Sequence, residues 1–298
     1  MSNSIDRRRF LSHSIAGAAG LTVLSSIGNG TYADVNVTPP TLKGNINHSV
    51  ARWTFDFLSL EALCQLAVGL GISAIDLVGP EEWPVLKRYS LDSSMCNGAE
   101  LSLEDGWGDD RFHSKLVDRY LEHIDLVSEA GYTNLICFSG NARGMTSEQG
   151  LDNAERGLKR ILSHAEEKRV VLQMELFNSK IDHPDYLCDN SAWGIELCRR
   201  LDSPNFKLLY DIYHMQISEG DIIRTIRDHH EYFGHYHTAG VPGRNEIDDS
   251  QELNYPAICR AIRAAGFQGY IAQEFLPDRN DNQERIASLR EAIHLCDV

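Results

Sequence analysis

An α/β fold, a single (β/α)8 barrel with a parallel eight-stranded core, is predicted by three observations. Short apolar runs alternate with longer amphipathic segments eight times after residue 45. Several short runs are nearly continuous in Val, Ile, Leu and Tyr, as expected of parallel strands covered on both faces. The 265 residues from Asp34 to Val298 divide into eight units of about 33, close to the repeat of a closed barrel.

The predicted strands cover residues 46–53, 73–78, 91–96, 133–139, 169–176, 206–212, 232–239 and 270–275. Between the first two, Leu60, Leu63, Ala67 and Leu70 form one helical stripe. Residues 116–130, 148–168 and 191–201 repeat that pattern with charged outer faces. Ser59, Ser147 and Ser218 stand as N-caps ahead of helical segments. Gly69 and Gly71, Gly131 and Gly266 mark helix exits. Alternating strands and helices build right-handed βαβ units. The barrel takes residues 46–298, with 34–45, including Pro39-Pro40, as a lead-in.

Residues 1–33 stand apart. Arg7-Arg8-Arg9-Phe10-Leu11 precedes a short apolar run from Ile15 to Ile27, and Thr31-Tyr32-Ala33 offers a small-residue cleavage site. The string resembles a bacterial twin-arginine signal peptide, which implies export to the periplasm or beyond. No other stretch is apolar for long enough to cross a membrane, so no stable insertion is expected after signal removal.

The chain carries 28 Lys+Arg against 43 Asp+Glu over 298 residues, a formal charge of −15. Without residues 1–33 it loses three Arg and one Asp and reaches −17. That balance excludes a general affinity for nucleic acid or anionic lipid, whose main attractive term is cationic. Seven cysteines, an odd number with no C-x-x-C, lie partly within apolar runs and read as buried thiols.

Chemistry concentrates at the ends of the last four predicted strands. They close on Leu172-Gln-Met-Glu175, Leu208-Leu-Tyr-Asp211, Gly234-His-Tyr-His237 and Ile271-Ala-Gln-Glu274. In such barrels the carboxyl ends of strands form the active-site face. One acidic residue near a strand end is ordinarily a loop cap or an ion pair. Four metal-ligating residues at the same place in consecutive units imply a shared centre for Mn²⁺, Mg²⁺, Co²⁺ or Zn²⁺. No G-x-G-x-x-G, Walker loop or G-x-S-x-G elbow is present.

The mature region resembles the xylose-isomerase-like TIM barrels, the sugar isomerase/epimerase superfamily, and within it the hydroxypyruvate isomerases. The strings that carry this are Met174-Glu175-Leu-Phe-Asn178, Tyr210-Asp-Ile-Tyr-His-Met-Gln216 with Glu219-Gly220-Asp221, and Gly240-Val-Pro-Gly-Arg-Asn-Glu246. Glu252-Leu-Asn-Tyr255 and Gln273-Glu-Phe-Leu-Pro277 complete them, so the likeness runs from about Ile46 to Pro277. It implies Glu175, Asp211, His237 and Glu274 as metal ligands and Glu175 and Glu274 as the acid/base pair. His214 and Arg244 would bind substrate oxygens. One departure stands out: His237 occupies a position where the hydroxypyruvate isomerases tend to carry Gln and ketose 3-epimerases carry His.

The residue types suit that chemistry. A divalent ion chelated by an α-hydroxy carbonyl compound acidifies its C–H by stabilising the enediolate, and a carboxylate removes the proton. Return at the neighbouring carbon is isomerisation, and return on the other face is epimerisation. Expulsion of a C1 substituent from a 3-keto-glycoside would make the same centre a lyase. A non-catalytic sugar-binding protein would not need both glutamates, and a DNA-repair nuclease of this fold is disfavoured by the charge. A small hydroxy-carbonyl or sugar substrate is therefore expected, and analogy with the superfamily suggests pairing of copies.

Asn178, Lys180 and His183 follow strand five and are candidates for substrate contact. His48, Arg52 and Trp53 fall on strand one, where Trp53 would wall the site or pack in the core. His235 points the same way as His237 but deeper and reads as a supporting or core residue. Asn141-Ala-Arg-Gly144 reads as a turn.

Overall fold

Eight parallel strands close on themselves in chain order in the computed structural model, which describes residues 41–298. The predicted export signal and most of the lead-in lie outside the described residues. The strands are β1 (Asn47–Ala51), β2 (Ala74–Val78), β3 (Asp92–Cys96) and β4 (Asn134–Cys137), then β5 (Val171–Glu175), β6 (Phe206–Asp211), β7 (Phe233–Thr238) and β8 (Tyr270–Gln273). Pairing of His48 with Ile271 and Val50 with Gln273 seals the barrel between β1 and β8.

The helices are α1 (Leu60–Leu70), α2 (Trp83–Arg88), α3 (His113–Ala130), α4 (Ser147–Lys168) and α5 (Ser191–Leu201). After β6 come α6 (Ile212–Ser218) and α7 (Ile222–His229), and the chain ends with α8 (Tyr255–Ala264) and α9 (Asn282–Cys296). Each longer helix buries one stripe. In α4 it is Leu151, Ala154, Leu158, Ile161, Leu162 and Ala165, spaced to lie on one face. No helix among the described residues is long and apolar enough to cross a membrane. All seven cysteines are buried and free, as their apolar settings predict.

Local chemistry sets the boundaries, and some differ from expectation. Ser59 caps α1 by accepting from the Ala62 amide, and Gly71 ends it at φ 74°, a conformation that costs glycine little. Gly69 is instead inside α1. Thr146, not Ser147, caps α4: its hydroxyl accepts from the Gln149 amide while the Gln149 side chain accepts from the Thr146 amide. That reciprocal pair satisfies two end groups, which Ser147 could not do from inside the first turn. Ser218 is the last residue of α6 rather than a cap. The helix there begins earlier, because the Asp211 side chain accepts from the His214 amide. The chain leaves β1 at Ala51, so Arg52 and Trp53 sit in a 3-10 turn rather than in the strand.

The upper rim is pinned by buried hydroxyls. Tyr186 accepts from the Ser139 amide beyond β4 and donates to the Glu175 carbonyl at the end of β5, both at 3.0 Å. Tyr255 accepts from the Ala239 amide and donates to its carbonyl, fixing the exit of β7. Gly106, in the loop after β3, lies so close to the end of β4 that a Cβ would approach the Phe138 carbonyl oxygen to 2.3 Å.

Thr146→Ala should lower unfolding free energy by about 1 kcal/mol, whereas Ser147→Ala should cost only a few tenths, roughly the value of an uncapped surface position. Paired urea denaturation curves check this, and equal losses would contradict the cap assignment.

Candidate metal centre

Consecutive strands deliver the four predicted ligands to one height. Glu175 ends β5 and Asp211 ends β6, while His237 is one residue from the end of β7 and Glu274 follows β8 directly. The register pairs Asp211 with His237, and His237 with Ala272. One ligand atom from each of Glu175, Asp211, His237 and Glu274 lies within 4.8 Å of all the others, and all four residues are buried. Nδ1 of His237 is 3.2 Å from Oε1 of Glu175 and 2.9 Å from Oε2 of Glu274.

Arg244 is the nearest permanent cation. Nη2 lies 2.5 Å from Oε2 of Glu274 and 3.6 Å from Oδ2 of Asp211. The guanidinium lies over the rings of both Trp53 and Tyr213, at 5.2 and 5.4 Å from their centres. Its loop is tied to the exit of β8 by the Leu276 amide, which donates to the Arg244 carbonyl, and by Asn245, which donates to the Leu276 carbonyl. Nε of Arg244 is buried without a hydrogen-bond partner among the described residues, which leaves it for a ligand oxygen.

Trp53 enters the site through the turn that ends β1: Nε1 donates to Oε1 of Glu274 at 2.8 Å. On the other flank, Nδ2 of Asn178 meets Nδ1 of His214 at 2.7 Å and Oδ2 of Asp182 at 2.6 Å. Oδ1 of Asn178 accepts from the amides of Ile181 and Asp182. His183 stacks on Phe177, with centroids 4.1 Å apart and planes at 14°. The imidazoles of His183 and His214 are 5.2 Å apart, and Nε2 of His214 is 3.6 Å from Oδ2 of Asp211. Asn178, His183 and His214 thus form one wall beside the ligand set.

Other singled-out residues lie elsewhere. Lys180 is exposed and donates to the carbonyls of Ile217 and Ser218 at the end of α6. His48 is buried near the start of β1, 3.9 Å from Asp297, and burial pushes its imidazole down to about 4. Arg52 reaches Glu82 at 3.5 Å. Arg143, at φ 47° in the turn after β4, pairs with Asp105 and Asp109. Asp76 on β2 was missed by motif and spacing. Its signal was an acid inside an otherwise apolar strand, which demands a buried partner.

Three buried carboxylates face one imidazole and one guanidinium, an excess of negative charge suited to a hard divalent cation. Burial, partly offset by Arg244 and reinforced by Glu274, pushes the Asp211 carboxyl up to about 7. Burial opposes charge on His237 too, but Glu274, Asp76 and Glu175 outweigh it and hold the imidazolium well above the usual range. Both groups therefore hold protons that a cation must displace. Mn²⁺ affinity should rise with pH from 5 through 7, with proton release on binding. Calorimetry in buffers of different ionisation enthalpy checks this, and a pH-independent affinity would contradict it.

Comparison with known proteins supplies the lineage. Vertebrate relatives are 30–33% identical over stretches covering 42–50% of their own length, so the chain spans about half the length of these relatives or less. The Escherichia coli hydroxypyruvate isomerase is 24% identical over 79% of this chain and 94% of that protein. The 2-oxo-tetronate isomerase of Pectobacterium atrosepticum is 24% identical over 71% of this chain and 84% of its own. The solved 3-keto-D-glucoside 4-epimerase of Escherichia coli shares the fold, with a TM-score of 0.70 and 18% identity over 84% of this chain and all of that one. The model of the xylose isomerase-like TIM barrel family matches residues 86–295, and with the closed barrel this places the chain in that family.

Proposed function

We propose that the protein is a divalent-metal-dependent isomerase of small α-hydroxy carbonyl compounds of the hydroxypyruvate type. The observation that carries this reading is the convergence of Glu175, Asp211, His237 and Glu274, all buried, within 4.8 Å. The relatives named hydroxypyruvate isomerase and 2-oxo-tetronate isomerase support the substrate class. The Arg7-Arg8 signal supports a place of action outside the cytoplasm.

Glu175, Asp211, His237 and Glu274 would hold the ion, which would supply Lewis-acid polarisation that acidifies the C–H beside the substrate carbonyl. Glu175 and Glu274 divide the proton work: one takes the proton from the hydroxyl-bearing carbon and the other gives one to the carbonyl carbon, while the hydroxyl proton passes to the former carbonyl oxygen. Both flank His237 Nδ1, so both border the same small volume. Trp53 and Arg244 grip the two oxygens of Glu274 and hold it in one orientation. Arg244 Nε and the His183–His214 wall bind substrate oxygens on either side. His237, the residue that ketose 3-epimerases carry at this position, favours a second reading. In it the proton returns on the opposite face of the same carbon.

Mg²⁺-loaded protein in D₂O, offered hydroxypyruvate, ketohexoses and a 3-keto-glucoside, should place deuterium at an α-carbon of its substrate, followed by NMR. Glu175→Gln and Glu274→Gln should each lower the rate by about 10²–10⁴-fold, the usual worth of a positioned acid or base. The labelled product separates isomerase from epimerase and lyase. Bound metal without exchange in any of these compounds would overturn the reading.

A further inference from the structure

Beneath the four ligands, β2 contributes a carboxylate that touches His237 from behind. Asp76 is fully buried. Its Oδ2 accepts from Nε2 of His237 at 2.9 Å, and its Oδ1 accepts from the Ser94 hydroxyl at 2.6 Å. Nε2 of His235 lies 2.9 Å from Oδ1, and the His235 ring stands at 83° to that of His237 with centroids 5.2 Å apart. The β2–β3 register shifts on both sides of Asp76, and Leu77 follows at φ 56°. A bulge of this kind re-aims a side chain, and here it directs a carboxylate toward a strand three places away round the barrel.

A neutral imidazole has one N–H and one lone pair. With the proton on Nε2 engaged by Asp76, the lone pair is on Nδ1, the atom aimed at Glu175 and Glu274. A flipped ring would present carbon at both places and lose the Asp76 bond. We propose that Asp76 is the positioning residue of the metal centre, fixing the tautomer and orientation in which His237 offers Nδ1 to the ion. This rests on the metal-dependent reading above.

Asp76, His235 and His237 also lie close enough to hold an ion of their own. Hydrogen-bond chemistry argues for support instead. Both Asp76 oxygens already accept hydrogen bonds, and ligation through Nε2 would leave His237 to bridge two cations as an imidazolate. One ion per chain is the expected stoichiometry.

The test uses the full chain. Mn²⁺ titration followed by electron paramagnetic resonance should show one ion per unaltered chain. The dissociation constant should rise about 10–100-fold in Asp76→Ala, the usual effect of removing a partner behind a metal-bound histidine. Asp76→Asn, which keeps one acceptor oxygen, should fall between. Circular dichroism reports whether each variant is folded. Nitrogen-15 spectra of the Zn²⁺-loaded unaltered protein should show the His237 proton on Nε2, a signature that a purely structural role for Asp76 would not require. A proton on Nδ1 would overturn the proposal even if Asp76→Ala failed to fold. Unchanged affinity in folded Asp76→Ala would overturn it too, and so would a second ion that Asp76→Ala removes. Absence of Mn²⁺ binding by the unaltered protein would overturn the metal reading itself, a different failure.

Discussion

Like charges crowded together out of water set the terms for the rest of this molecule. Glu175, Asp211 and Glu274 bring three carboxylates within reach of one point, and none has more than a trace of solvent exposure. Each buried ion costs several kcal/mol unless its surroundings answer it. Arg244 and His237 answer part of that charge. Burial, with Glu274 adding to it against Arg244, pushes the Asp211 carboxyl up to about 7, which favours its keeping a proton. A divalent ion would take the place of that proton and neutralise the excess.

Holding such a cluster requires that its positive partners not wander. Arg244 has lost that freedom: its guanidinium packs over two aromatic rings, and its carbonyl is bound to the strand exit that carries Glu274. Glu274 and Arg244 are thus tied together both through their side chains and through the backbone. Tyr186 and Tyr255 do the same for the backbone, stitching the ends of β4, β5 and β7 with hydroxyls that are themselves buried. Acidic strand ends would otherwise repel one another apart, and these cross-links resist that at the height where the repulsion is greatest.

The arrangement also divides labour by depth. The four candidate ligands stand at the carboxyl ends of their strands, from one residue before the end to one beyond it. Asp76, Ser94 and His235 lie one layer below, reachable only by side chains of the barrel interior. Precision at the mouth depends on this lower layer, because a histidine ring held at one nitrogen has little choice of where to point the other.

How much of this the sequence determined follows from the range of the interactions involved. The barrel was legible because each βα unit is a local event: an apolar strand, a capped amphipathic helix and a glycine exit repeat within about 33 residues. The buried four-residue cluster was legible for the same reason, since Glu175, Asp211, His237 and Glu274 each occupy the same place in consecutive units. Thr146 displaced Ser147 as a cap because a reciprocal bond to Gln149 is worth more than a hydroxyl one residue late. Trp53 left its predicted strand because the chain turns at Ala51, and only that turn carries the indole to Glu274. Asp76 is the clearest case. It is separated from His237 by 161 positions, and a register shift in β2 decides where its carboxylate points. Closure of the barrel brings those two side chains together. Periodicity records which face a residue occupies, but which distant residue waits across the interior is settled only when the ring closes and its strands take their register.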